Sequence, residues 1–566
     1  MYIKITRSGP RRYVQLVESF RDENGRVRKR TLASLGRLDE VDGALDSVIN
    51  GLLKATGRKP MDSGAEAPKV TFESARAFGD VWALTELWKE LGFDQIRRVF
   101  GRTRHTTDIE ALLRVMVFNR LCNPDSKLGV LRWLETVALP GLAVPGITHQ
   151  QLLRTLDALV DQREAVDAVV AGLLRPLIDQ DLSVVFYDMT TLRSEGLSNL
   201  PDDVRQHGMA KEGLIARQFM LGLVQTAEGL PIYHEVFDGN TGETKTLVPT
   251  LTQVLTRFPA IQRLILVADR GLLSLDNLET LRAIRLASGQ PLEFIIAVPG
   301  RRYSEFVELL QAFHADQCLP AQEEVIGELA WEGLRLMVAH DPETAALQTR
   351  QRNQRIDELI EQADAWSGKL DRQEEGVKQR GRKLSDSGAK ARFYHAVKEA
   401  SLSRILKVDL KSELFTYRID EGAKTLAEMM DGKLLLVTNT PTLKPAEVVA
   451  RYKSLADIER GFRVLKSELE IGPCYHRLPE RIRAHAAICF IALILYRVMR
   501  SRLQATGTGL SPERAIAQLQ RIQHHRVRLD GRQSVTGISS LTPEHYEVIH
   551  ALGIEKPTAP EQLMLL

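Results

Sequence analysis

Residues 264–274 read LILVADRGLLS: five apolar positions run up to a carboxylate, Asp269, where the strand-like pattern stops. A short, wholly apolar run of branched residues fits a strand buried on both faces. An acid at its end either caps the following helix or holds something at the edge of a sheet. The following helix has its own start signal in Ser274, with Asp276 in its first turn, so Asp269 stands five residues ahead of the natural cap. As a cap it is spare.

The same arrangement occurs upstream, where LSVVFYDMTTL (182–192) places Asp188 directly after VVFY, at the end of a first strand. RQFMLGLVQTAEGLPIYHEVF (217–237) reads as strands two and three, a hairpin turning through AEGLP; 263–271 is strand four and LEFIIAVPG (292–300) strand five. Amphipathic helices fill the gaps after strands three and four. This is an α/β pattern: a mixed sheet with helices on both faces. If strands one and four run parallel as neighbours, Asp188 and Asp269 emerge at one edge. Two such carboxylates repel unless a cation or a proton neutralises them, and hard divalent cations favour oxygen ligands. Taken alone, Asp188 could equally close a turn with its two neighbouring threonines.

Around this core the chain, 566 residues long, divides into several pieces. Residues 1–55 form a basic region with a β-hairpin, RRYVQLVESF and RVRKRTLASL joined through Asn24-Gly25. A stretch rich in Gly, Pro and small polar residues from Gly57 reads as a linker, and 74–180 is helical. The sheet core occupies 181–300 and resumes at 441–510, after an inserted α+β subdomain at 301–440 that holds a long polar helix from Pro342. A helical tail, 511–566, follows.

With 44% hydrophobic and 26% charged residues, the composition is that of a globular protein and excludes disordered and fibrous classes. The net charge of +3 conceals two basic clusters: 1–37 has ten Lys/Arg against three acids, and KQRGRKLSDSGAKAR (378–392) has six against one. Two such clusters favour a polyanionic partner over merely solvated faces. The four cysteines show no CxxC pairing, so neither a zinc site nor a disulfide framework is indicated, which fits a reducing cytoplasm. The strongest apolar run, AAICFIALILY (486–496), is eleven residues long, too short to span a bilayer, and reads as a core helix.

A third acid lies in RYKSLADIERGFRVLKSELE (451–470), within a helix expected from Pro445 to Leu469. Tyr452, Glu459 and Lys466 stand at i, i+7 and i+14, one stripe of such a helix. An ordinary surface pair between Glu459 and Arg463 would satisfy the same spacing.

Together, Asp188, Asp269 and the helix pattern Tyr-x2-Leu-x3-Glu-x6-Lys resemble the core of bacterial insertion-sequence transposases with a DDE triad on a ribonuclease H-like fold. The nearer resemblance is to the insertion-sequence-four superfamily, with its signature Tyr-x2-Arg-x3-Glu-x6-Lys; here Leu455 stands in place of the arginine. YVQLVESFRDENGRVRKRTLASLGRLDEV (13–41) and CYHRLPERIRAHAAICFIALIL (474–495) look like one branch of these enzymes. The 190 residues from Asp269 to Glu459 exceed what one strand and a connection need, and the excess resembles that superfamily's β-rich insertion.

The resemblance implies that Asp188, Asp269 and Glu459 are catalytic carboxylates holding two divalent metal ions, Mg²⁺ with Mn²⁺ able to substitute. It implies that Tyr452, Lys466 and neighbouring Arg463 contact the DNA backbone, and that the N-terminal hairpin and the helical region read terminal inverted repeats. The implied partners are double-stranded DNA, at transposon ends and target, and a second copy of the chain on that DNA, with no membrane. The implied location is the bacterial cytoplasm, on the nucleoid. Two alternatives stand beside it. A haloacid-dehalogenase-type phosphohydrolase would need an Asp two residues after Asp188, where the chain has Thr190. A catalytically inactive or domesticated DNA-binding descendant of a transposase would bind repeat ends without cutting them.

Overall fold

The computed structural model describes residues 2–8, 11–21, 27–37, 70–101, 103, 107–142, 146–178, 183–195, 203–209, 215–270, 275–319, 321–375, 384–529 and 533–557. The Asn24-Gly25 turn, the linker up to Lys69, the expected cap Ser274 and the first part of the second basic cluster lie outside these. The chain divides into two compact units: Met1–Gln262 with Ala456–Leu566, and Arg263–Leu455.

In the first unit, β1 (Tyr2–Ser8), β2 (Arg11–Arg21) and β3 (Val27–Arg37) form an antiparallel sheet. The expected hairpin is the β2–β3 pair, with Arg21 opposite Val27, and β1 adds a third strand. After β4 (Val70–Ala77) the chain turns helical: Gly79–Glu90, Ile109–Cys122, Lys127–Leu134, His149–Asp161 and Arg163–Leu174. Three of these start where the sequence supplies a cap, since Asp108, Ser126 and Thr148 accept from Ala111, Gly129 and Gln151 N–H groups. The helices Gly79–Glu90, Ile109–Cys122 and His149–Asp161 pack against the helix Pro479–Ala505, which contains the AAICFIALILY run. That helix is long and apolar enough to cross a membrane, yet 83% of its most apolar window is buried inside the fold, as a core helix requires.

The core strands of this unit are β5 (Ser183–Arg193), β6 (Gln206–Met209), β7 (Ile215–Thr226) and β8 (Pro231–Asp238), all antiparallel to β7. The expected hairpin turns at Gly229, whose φ of +80° needs a residue without a Cβ. The tail departs from its helical reading. Between helices Pro512–Leu519 and Pro543–Leu552 lie β16 (Gln523–Leu529) and β17 (Gln533–Ile538), and β16 pairs antiparallel with both β17 and β4. The alternation in QHHRVRL is carried largely by His and Arg, which hides a strand whose partner, β4, lies more than four hundred positions away.

In the second unit, β9 (Leu264–Ala268) runs parallel to β10 (Glu293–Ala297), and the helix Leu275–Ala283 lies between them in sequence. β10 pairs antiparallel with β15 (Lys433–Thr438), β15 with β12 (Leu334–His340), and β12 with β11 (Val325–Trp331). Three strands from within 301–440 therefore extend the β9–β10 sheet. Between β12 and β15 the chain makes a module with its own core. In it the long helix Pro342–Glu374 and the helix Asp386–Glu399 bury Ile356, Leu359 and Phe393 beside the small pair β13 (Leu406–Val408) and β14 (Tyr417–Ile419).

Candidate active site

Asp188 lies in the middle of β5, not at its end. Thr190, Thr191 and Leu192 keep the ladder going, opposite Leu221, Met220 and Phe219 of β7, because β-branched residues suit the extended backbone. The carboxylate therefore belongs to a sheet face, half-buried between the buried Tyr187 and Met189 that point the other way. Tyr187 Oη donates to Thr246 Oγ1 at 2.7 Å and Met189 N donates to Asp188 Oδ1 at 2.6 Å, which fixes the strand on both sides of the acid.

Glu459 is carried by the helix Ala456–Arg463, which packs on β5. Its side chain lies outside the described residues. Phe462, Val464 and Leu465 anchor this stretch in the core, while Arg463 and Lys466 are exposed. The single long helix expected from Pro445 to Leu469 is not formed. It is divided into Pro445–Lys453, Ala456–Arg463 and a π-helical turn, Val464–Glu468. At the break Ser454 Oγ donates to Arg451 O at 2.7 Å, and Leu455 N donates to Tyr452 O at 2.9 Å. A serine hydroxyl that takes a backbone carbonyl offers the chain a way out of the helix. Tyr452 and Glu459 thus do not share one helix. Leu455, at the signature's arginine position, is 8% exposed and packs as a core residue.

Asp269 follows β9 directly, as the sequence implied, and is half-buried. Tyr452 Oη donates to its Oδ1 at 2.8 Å across 183 positions of sequence. Burial pushes the Tyr452 phenol well above its ordinary value, and the adjacent Asp269 charge pushes it further, against a smaller opposing effect of Arg270. Tyr452 therefore stays a neutral donor. Its hydroxyl orients the Asp269 carboxylate.

The structure therefore brings Tyr452 to Asp269 within one compact unit, whereas Asp188, Glu459, Arg463 and Lys466 are carried by the other. Among the described residues no three His, Cys, Asp or Glu side chains form a metal cluster, and the side chain of Glu459 is not among them. The donors themselves suit a hard cation: carboxylate oxygens, one of them held by a neutral hydroxyl. The four cysteines are free thiols, in line with the absence of paired spacing.

One supporting device was not legible. Arg205, fully buried, grips Asp203 through Nε at 2.8 Å and Nη2 at 2.8 Å, and donates to the carbonyls of His476 at 3.1 Å and Arg477 at 2.8 Å. Cys474 N donates to Arg193 O at 3.0 Å and Glu195 N to Cys474 O at 2.9 Å. The segment that follows the Glu459 helix is thereby laced to the end of β5. In sequence, Asp203 and Arg205 are one ordinary pair among many charges.

Comparison with known families agrees with this architecture. Residues 179–495, more than half of the chain, match the family model described as the transposase DDE domain. Residues 3–66 match that of the IS1634 family transposase N-terminal domain. No curated protein matches the chain. The first match contains every candidate site residue.

Proposed function

The chain belongs to the DDE transposases of insertion sequences, and on that footing we propose that it binds the terminal inverted repeats of its element and catalyses metal-dependent strand cleavage and strand transfer. Asp188, Asp269 and Glu459 are the proposed metal-holding carboxylates. The observation that carries the reading is the Tyr452–Asp269 hydrogen bond: two members of a motif far apart in sequence meet at the end of a buried strand.

When bound, two divalent ions, Mg²⁺ or Mn²⁺, supply activation of the attacking oxygen and charge stabilisation at the leaving one. The protein's own work is placement. Tyr452 donates a hydrogen bond to one oxygen of Asp269, which fixes the carboxylate and leaves its other oxygen for a ligand. Asp188 is held in a strand locked through Tyr187 and Met189. The exposed Arg463 and Lys466 supply cations for the phosphates beside the cleaved end. The exposed Lys4, Arg21, Arg28, Lys29 and Arg30 of the N-terminal sheet, with the helices of 79–174, supply the affinity for repeat ends. Water attacks first to free the transposon's 3′-hydroxyl, which then attacks target DNA, and a homodimer on the bacterial nucleoid holds the two ends.

The test uses purified protein, Mg²⁺ or Mn²⁺, and a duplex carrying the element's ends. Wild type nicks the duplex at the ends, and Asp269→Asn abolishes nicking while retaining binding. Nicking that survives Asp269→Asn overturns the triad. Wild-type protein that binds the ends and never nicks them is instead an inactive, DNA-occupying descendant.

A further inference from the structure

We infer that Gln225 is a positioning residue that sets the seat of the helix carrying Glu459, an inference that rests on the triad proposed above. Gln225 lies near the end of β7 and is 0% exposed. Its Oε1 accepts from Arg497 Nη2 at 3.4 Å, and among the described residues its Nε2 is buried with no acceptor. A buried amide that is only partly bonded is destabilising compared with an apolar side chain of the same size. Its use must lie in what it touches.

What it touches is Gly461. A Cβ added at Gly461 would fall 2.3 Å from Gln225 Nε2, 3.0 Å from Oε1 and 3.1 Å from Cδ. The helix backbone therefore rests directly on the amide, two residues beyond Glu459. Gly461 has no left-handed φ to require a glycine, and glycine is a poor residue inside a helix, so close approach is what the position demands. The amide has little freedom to yield, because it is enclosed and engaged by Arg497. That guanidinium lies close against the β7–β8 turn, where a Cβ on Gly229 would be 3.1 Å from Nη1.

The contact ties both catalytic elements of this unit together. Gln225 stands opposite Phe186 in the β5–β7 ladder, two residues before Asp188. The strand that holds Asp188 and the helix that holds Glu459 are thus referred to one side chain. Displacing a catalytic group by ~1 Å can cost about a hundredfold in rate.

The experiment compares wild type, Gly461→Ala, Gln225→Ala and the double variant by Mn²⁺ affinity from titration calorimetry, by duplex affinity and by nicking. Gly461→Ala is expected to keep duplex affinity, weaken Mn²⁺ binding and lower nicking by about 10- to 100-fold. The double variant removes the amide that the new methyl strikes, and is expected to recover to within a few-fold of Gln225→Ala. Gly461→Ala with wild-type Mn²⁺ affinity and nicking overturns the inference, as does a double variant no better than Gly461→Ala. If Gly461→Ala fails to fold, Gln225→Ala decides: weakened Mn²⁺ affinity with duplex binding retained supports the inference, and wild-type affinity overturns it. Glu459→Gln separates the two claims. Nicking that survives Glu459→Gln sinks the triad, whereas nicking lost in Glu459→Gln but intact in Gly461→Ala sinks only the role of Gln225.

Discussion

Tyr452→Phe removes one hydroxyl and leaves the ring, so it isolates the 2.8 Å bond to Asp269 Oδ1. A hydrogen bond to a charged acceptor contributes ~1.5–3 kcal/mol, which corresponds to about 10- to 150-fold in rate if it acts in the transition state. A second estimate comes from the role assigned here: losing a partner that orients a metal-holding carboxylate typically costs about 10- to 100-fold in metal affinity or activity. The two ranges overlap, so nicking should fall by one to two orders of magnitude, with the Mn²⁺ midpoint shifted upward. Folding should suffer little, since Asp269 is half-buried and water can reach it. The assay is nicking of an end-bearing duplex across a Mn²⁺ titration, with melting temperature measured alongside. Because burial raises the phenol above its ordinary value, wild type should show no alkaline loss from Tyr452 below about pH 10. A variant with the wild-type midpoint and a rate within about twofold would refute the argument that Tyr452 orients Asp269 for a cation.

Asp203→Asn leaves Arg205 buried without its charge partner, and breaking such a pair should lower stability by ~3–5 kcal/mol in urea unfolding; an unchanged midpoint would contradict the clamp. His234, buried and stacked on Phe490 at 4.4 Å, has its pKa lowered by burial from 6.5 to about 4, so the unfolded chain takes a proton in that window and the folded chain does not. Stability present above pH 6.5 is then lost as pH falls toward 4, by ~2 kcal/mol at about pH 5. His234→Phe should lose about that much less than wild type over the same range, and parallel curves would remove His234 from the account. Lys466→Ala and Arg463→Ala should each weaken duplex binding irrespective of sequence and reduce the log–log salt slope by ~0.9; an unaltered slope places them off the phosphate backbone.

What could be read from sequence was local and apolar. VVFY and LILVA are unbroken hydrophobic runs and form the buried parts of β5 and β9, and the Gly229 turn fixes the hairpin between β7 and β8. What could not be read depends on partners distant in the chain. β12 and β15 join the β9–β10 sheet through pairings that no local pattern records, and β16 finds its partner in β4. β5 is longer than its sequence suggests, because an acid followed by methionine and threonines looks like a turn, while the ladder opposite β7 keeps it extended. Asp269 was legible because the sequence offers another residue, Ser274, as the cap. Its meeting with Tyr452 was not, since only family resemblance joined the two.

The spacing of Tyr452 and Glu459 shows how a motif can suggest a geometry that the chain does not adopt. Seven residues match two turns of helix, yet the helix is interrupted between them at Ser454 and Leu455. That interruption is also where the chain passes from one compact unit to the other. The interruption leaves Tyr452 at the end of one helix, bonded to Asp269, and Glu459 on the next helix, which packs on β5. Leu455 sits at the joint and is buried there, so in this chain that motif position packs the joint instead of presenting a cation. On the proposed function, phosphate contact in this stretch falls to the exposed Arg463 and Lys466, which is why their salt slopes, more than the missing arginine, test how the signature helix meets DNA.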